Sequence, residues 1–367
     1  MSRLSDVLAG FLGVKQVAVA PLAAIGVVVV GAAAAFAYTG GWLSPGRLTP
    51  QEMVDALGRR GGDPLGHRRN HAKGICFTGH FEANGAAVRL SEAPMFVAGR
   101  YPVIGRFAIG VGDPATPDAQ GRVRSMAIDV VAPDGQRWRS GMNNIPVFPV
   151  ATPRAFYELT LASDIVPGTG KPDPQAMPRF VAAHPEIGPF LQWAKSAPWT
   201  GSYADQSYNG LNAFRFVDAA GASHAVRWSM QSEQKAEDVS PAALAGLGPD
   251  FLEQDLKRRL GEGPLRWHLV VTLAAPEDPT NDATKVWPAD REQVDAGTLV
   301  VERAEDEADG PCRDINYDPL ILPVGIRPSD DPILPARSSA YAVSFDWRTA
   351  EERDYPRTPA KPAEAAR

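Results

Sequence analysis

The chain has 367 residues, 44% of them apolar, and a formal net charge of −6. That balance excludes a nucleic-acid binder organised around a basic stripe, and the length suits one large domain or two ordinary ones. Two cysteines, Cys76 and Cys312, exclude a disulfide framework and a cysteine metal site; in an oxidising compartment they could pair, but, far apart in the chain, they are expected to be two buried, free thiols.

From Val17 to Tyr38 the sequence carries no charge, with Arg3 and Lys15 before the run and Trp42 after it. Such a run is long enough for a transmembrane helix, and the positive-inside rule leaves the short N-terminus in the cytoplasm. Cleavage after a signal sequence is the alternative, since Ala35-Phe36-Ala37 fits a small-residue cleavage site. Either reading exports the rest of the chain. Residues 1–40 are therefore read as anchor or signal, 45–350 as one domain and 351–367 as a polar, disordered tail.

Thr49-Pro50-Gln51-Glu52 marks a helix start, and the helix should end at Gly61-Gly62. Strand-like runs follow at 75–83, 103–110, 123–131, 213–217, 225–230, 266–274 and 298–303, several alternating polar with apolar residues. Helices interrupt them at 153–162, 189–196 and 250–260, the last with Asp250 as its cap, and a final helix begins near Pro335. The pattern predicts an α+β chain whose antiparallel sheet closes into a barrel.

Three separated segments carry candidate chemistry. The first is Arg68-Arg69-Asn70-His71-Ala72-Lys73-Gly74, just before a strand. The second is Gly141-Met142-Asn143-Asn144-Ile145-Pro146-Val147-Phe148, and the third runs from Arg337 to Tyr341. Taken singly, each has a plain reading: a structural histidine, a turn before proline, and a surface pair one helical turn apart.

In this order the three segments resemble the catalase family. Further matches are Arg106-Phe107, Asn209-Gly210, Trp267, Thr284-Lys285-Val286-Trp287-Pro288, Tyr317-Asp318-Pro319 and Val324-Gly325-Ile326-Arg327-Pro328. The resemblance implies a catalase-core β-barrel binding haem, of the haem b type. It implies Tyr341 as the axial ligand of the iron, Arg337 as the cation beside it, and His71 and Asn143 as the acid–base and amide groups of the opposite side. Neighbouring Asn144 competes with Asn143 for that match. Phe148 and Phe156 would wall the peroxide side, and Arg68, Arg106 and Arg348 would hold the haem propionates.

Several positions depart from the family pattern. Asn70 replaces a small apolar neighbour of the histidine, Pro149 replaces a common phenylalanine, and Ala108 stands where a serine usually bonds the imidazole, so His71 is expected to be loosely oriented. The C-terminal helical domain and N-terminal arm of larger catalases are not expected either. With its leading segment, the chain is most similar to exported catalase-related peroxidases. That subgroup implies reduction of organic hydroperoxides or hydrogen peroxide by a small-molecule or protein electron donor, through a ferryl intermediate. A small true catalase, a hydroperoxide-rearranging lyase and a non-enzymatic haem carrier are the alternatives. A monomer or dimer on the periplasmic face of the inner membrane, with no nucleic acid, completes the expectation.

Overall fold

The computed structural model describes residues 19–40, 42–44, 46–166 and 168–357, with side chains of the first helix from residue 23 onward. It divides into a unit of residues Met1–Thr49 and a unit of residues Pro50–Arg367. In the first unit helix α1 (Val19–Thr39) carries no charge. Among the described residues no helix is long and apolar enough to cross a membrane. The expected anchor begins at Val17, and its first two positions lie outside the described residues.

In the second unit, helix α2 (Pro50–Arg60) leads to ten strands: β1 (Gly74–Ala83), β2 (Gly99–Ile109), β3 (Arg124–Val131), β4 (Arg137–Asn143), β5 (Tyr208–Asn209), β6 (Phe214–Val217), β7 (Ser223–Ser232), β8 (Leu265–Leu273), β9 (Gln293–Asp306) and β10 (Ile326–Pro328). Eight of them close an antiparallel barrel in the order β1, β2, β3, β4, β5, β7, β8, β9, and β9 pairs back onto β1. Strands β6 and β10 extend the ladder from β7. Helices α3 (Pro153–Ala162), α4 (Ala176–Ala183), α5 (Gly188–Ser196), α6 (Pro241–Ala245) and α7 (Phe251–Glu262) lie in the connections, and α8 (Ile333–Ala350) follows β10.

Period-two alternation sends one set of side chains into the barrel. Phe107 stands at its centre, with ring centroids 4.7 Å from Phe77, 5.1 Å from Tyr203, 5.6 Å from Trp267 and 5.8 Å from Tyr208. All five rings are buried, so truncating Phe107 to Ala should cost about 3–5 kcal/mol. The opposite face of β2, β3 and β4 carries the alternate residues. There the register sets Arg106 beside Ala127 and Gly141, and Ala108 beside Ser125 and Asn143.

Four expectations are corrected. Strand β4 was not foreseen, because its Gly-Met-Asn end reads as a turn and arginines occupy alternate positions. Trp138, Ser140 and Met142 point inward, while Arg137 and Arg139 bond Asp129 of the neighbouring strand. Asp250 makes no capping bond for α7; Asp118 accepts from the Leu252 amide at 2.8 Å, and Asp250 pairs with Lys73 instead. Cys76 and Cys312 are not free thiols. They form a disulfide between β1 and the segment after β9. Residues 351–357 also pack on the domain, through a Glu351–Arg69 ion pair of 2.5 Å and a Tyr355–His67 ring contact of 3.9 Å. The remainder of the expected disordered tail lies outside the described residues.

Candidate active site

A cavity enclosing about 1290 Å³, its mouth included, opens over the outer face of β2–β4. His71, Asn143, Arg68, Arg106, Phe148, Phe156, Arg337, Arg348 and Tyr341 all line it, so the three separated segments meet in one place.

His71 precedes β1 with a φ of 53°, a left-handed backbone that side chains rarely adopt, and its position is held by the Ala72 amide on the Val111 carbonyl at 2.9 Å. The expected looseness of the ring is not found. Ser125 Oγ lies 3.1 Å from His71 Nδ1. Ser125 is the register partner of Ala108, so the hydroxyl comes from the next strand across. Burial first, then the cationic neighbours Arg106, Arg60, Arg337 and Arg68, push His71 down to about 3, and the imidazole is neutral at pH 7.

Asn143 is paired with Ser125 across β3–β4, and its buried Oδ1 has no hydrogen-bond partner within the protein. A buried amide oxygen without a partner is costly, which suits a group reserved for a ligand. Asn144 is spent on the fold: its Oδ1 accepts from the Arg124 amide at 2.9 Å and its Nδ2 donates to Gln206 at 2.9 Å. Phe148 and Phe156 stand 5.3 Å apart, the latter on α3, whose first turn is capped by Thr152. Asn70, next to the histidine, accepts from Arg60 at 2.9 Å.

Across the cavity, α8 carries Arg337 and Tyr341 on one face. Arg337 Nη2 donates to the Tyr341 hydroxyl at 3.3 Å and to the Gly141 carbonyl at 3.2 Å. A Cβ on Gly141 would come within 3.2 Å of that guanidinium nitrogen and 3.9 Å of the hydroxyl, so glycine here admits the close approach of α8 to the sheet. Arg337 Nη1 donates to Asn212 Oδ1 at 2.7 Å, and Asn212 in turn donates to the buried Asp331 at 2.8 Å. Asp331 also accepts from the Ile333 amide at 2.9 Å and so fixes the start of α8.

Arg68, Arg106 and Arg348 converge at another part of the wall, all of them anchored to the segment 307–315. Arg106 pairs with Glu307 at 2.6 Å, Arg68 bonds the same carboxylate, and Arg348 donates to the Ile315 carbonyl at 3.1 Å. Burial, and then the neighbouring Arg68, pull Arg348 below its usual range. An excess of buried positive charge is unfavourable by itself and suits an anionic ligand.

The sequence did not point to Ser125, Asn212 or Glu307. Asn212 lies three residues beyond Asn209, the first residue of a matched motif, and could have been noticed there. Ser125 is found only through strand register, and Glu307 sits in the acidic stretch Glu305-Asp306-Glu307, which reads as solvated surface.

Residues 45–353 match the family model described as Catalase. A catalase-related peroxidase of Synechococcus elongatus is 37% identical over 328 residues, covering 89% of this chain and 94% of its own length. One from Mycolicibacterium paratuberculosis is 33% identical over 311 residues, covering 84% and 97% respectively. Among solved structures, a bacterial catalase superposes with a TM-score of 0.71 at 22% identity, over 84% of this chain and 63% of that one. Catalase A of Saccharomyces cerevisiae gives a TM-score of 0.70 at 21% identity, over 80% and 64%.

Proposed function

The chain belongs to the catalase family, whose members bind haem, and from that premise we propose that it is a peroxidase reducing organic hydroperoxides or hydrogen peroxide with electrons from an external donor. The observation that carries this reading is the meeting of a neutral, hydrogen-bonded His71 and an Asn143 amide whose buried oxygen has no partner, opposite an Arg337–Tyr341 pair in one cavity. The two relatives named as catalase-related peroxidases span almost their whole length in this chain, which favours donor-dependent reduction over dismutation of hydrogen peroxide.

The residues fit haem. Tyr341 would ligate its iron, and Arg68, Arg106 and Arg348 would bind its two propionates; Phe148 and Phe156 would wall the peroxide side. When bound, haem supplies the redox-active iron. The chain's own residues do the rest. Arg337, fixed by Asn212 and Gly141, favours the anionic phenolate of Tyr341 because a guanidinium keeps its proton. Ser125 Oγ bonds His71 Nδ1, and in the tautomer with the proton on Nδ1 the hydroxyl accepts it and Nε2 is the base. Nε2 takes a proton from the peroxide and returns it to the departing oxygen as the O–O bond breaks. Asn143 hydrogen-bonds the peroxide oxygens as charge moves between them. Two donor electrons and two protons convert ROOH into ROH and water.

Export and membrane anchoring complete the reading. The side chains of Val27–Val30 are 60–72% exposed on an uncharged helix, an apolar surface that a bilayer would cover. The Cys76–Cys312 disulfide suits an oxidising compartment such as the periplasm. The electron donor would then be an exported small molecule or protein.

The test is Tyr341→Phe in the full-length protein, read by haem content and absorption spectrum. Loss of stable haem incorporation is expected. A variant with the haem spectrum and donor oxidation of the parent would refute the ligand assignment.

A further inference from the structure

Glu307 is a buried carboxylate, 7% exposed, inside the arginine cluster. It accepts from Arg106 Nε at 2.8 Å and Nη2 at 2.6 Å, and also from Arg68 Nη1. Beyond it the chain turns back and presents carbonyls. Arg68 Nη2 donates to those of Cys312 and Ile315 at 3.1 Å each, and Arg348 donates to those of Arg313 and Ile315. One short segment thus anchors all three arginines. Its far end is tied by Cys312 to Cys76, whose register partner on β2 is Arg106.

The charges do not cancel. Arg68, Arg106 and Arg348 bring three positive charges, and Glu307 brings one negative. Of the neighbouring arginines, Arg69 has its own partner in Glu351, Arg337 is held through Asn212 to Asp331, and Arg313 and Arg357 share Asp314. Within the set of Arg68, Arg106, Arg348 and Glu307 the excess is two, the charge that two carboxylates neutralise. An ion pair serving only stability would have no use for a third buried guanidinium, because unpaired buried charge is destabilising.

We propose that Glu307 is a resident counter-ion of the cofactor cradle, which holds Arg68 and Arg106 in place before the cofactor arrives and sets the cluster's charge to match a ligand with two carboxylates. The proposal rests on the haem reading of the cavity, and the role is one of positioning.

Full-length wild type and Glu307→Gln are compared in cofactor-free and haem-loaded form by thermal unfolding. Affinities are measured for haem and for haem dimethyl ester, whose carboxylates are masked. The cofactor-free variant should unfold at a clearly lower temperature while the loaded variant loses less. Its preference for haem over the ester should rise about fivefold as the cluster gains a positive charge. An equal loss in both forms, or a preference unchanged or lowered, overturns the proposal. A variant that accumulates only when haem is supplied supports it; failure to fold with or without haem assigns Glu307 to the fold and overturns it. Wild type that binds no haem would instead refute the cofactor reading, whatever the variant does.

Discussion

Ser125 fixes the orientation of the His71 ring. Its hydroxyl holds Nδ1 at 3.1 Å, and in the tautomer that the proposed reaction needs it accepts the Nδ1 proton and leaves Nε2 as the base; losing the hydroxyl removes that hold. Ser125→Ala should lower kcat/KM for peroxide by about tenfold with haem content unchanged. Adding Ala108→Ser to that variant should restore much of the loss, since the two positions are register partners. An unchanged rate in the single variant would remove Ser125 from the site. The protonation of His71 gives a second expectation. Its folded value of about 3 lies below the ordinary value of 6.5, so the stability it contributes is present above pH 6.5 and lost as the pH falls toward 3. The kcat/KM profile should accordingly show no histidine limb near pH 6.5; an activity loss centred there and absent in His71→Ala would contradict the neutral imidazole. At this scale the residues that line the cavity were legible only through the ordered motifs of the family resemblance, since each segment alone has a plain structural reading. Ser125 and Glu307 were not, because their neighbours belong to other strands and no local pattern marks the contact.

The elements that matter most to the site are a strand face, a helix and a loop. The outer face of β2–β4 offers Ala127 and Gly141 as a low floor, α8 lays Arg337 and Tyr341 over it, and the segment 307–315 gathers the arginines. The disulfide joins that segment to the barrel across 236 residues of sequence. Replacing both cysteines by serine should lower the unfolding free energy by about 2–5 kcal/mol and speed haem transfer to an acceptor protein. Unchanged stability and haem retention would make the bond incidental. Long strands such as β1 and β8 were readable from alternation, and α3 was expected over the residues where it forms. The two-residue β5 is too short to show a period, and β4 hides its alternation behind arginines that only Asp129 explains. The pairing of Cys76 with Cys312 was unreadable because sequence distance says nothing about adjacency in a closed barrel.

For the whole molecule, barrel closure explains why motifs some 270 residues apart, from His71 to Tyr341, face one cavity. The pairing brings the start of β1 to the level of the end of β2, the start of β3 and the end of β4, while the return of α8 after β10 closes the opposite wall. The fold class was legible in advance from strand alternation together with the family resemblance. The proposed membrane attachment rests on the N-terminal segment, and carbonate extraction of the full-length protein should leave it with the membranes; release into the soluble fraction would contradict anchoring. The reaction itself is tested most directly by assaying haem-loaded, full-length protein with peroxide in the presence of a dye donor while an electrode follows oxygen. Donor oxidation with negligible oxygen release is expected; rapid oxygen release without donor oxidation would contradict a peroxidase.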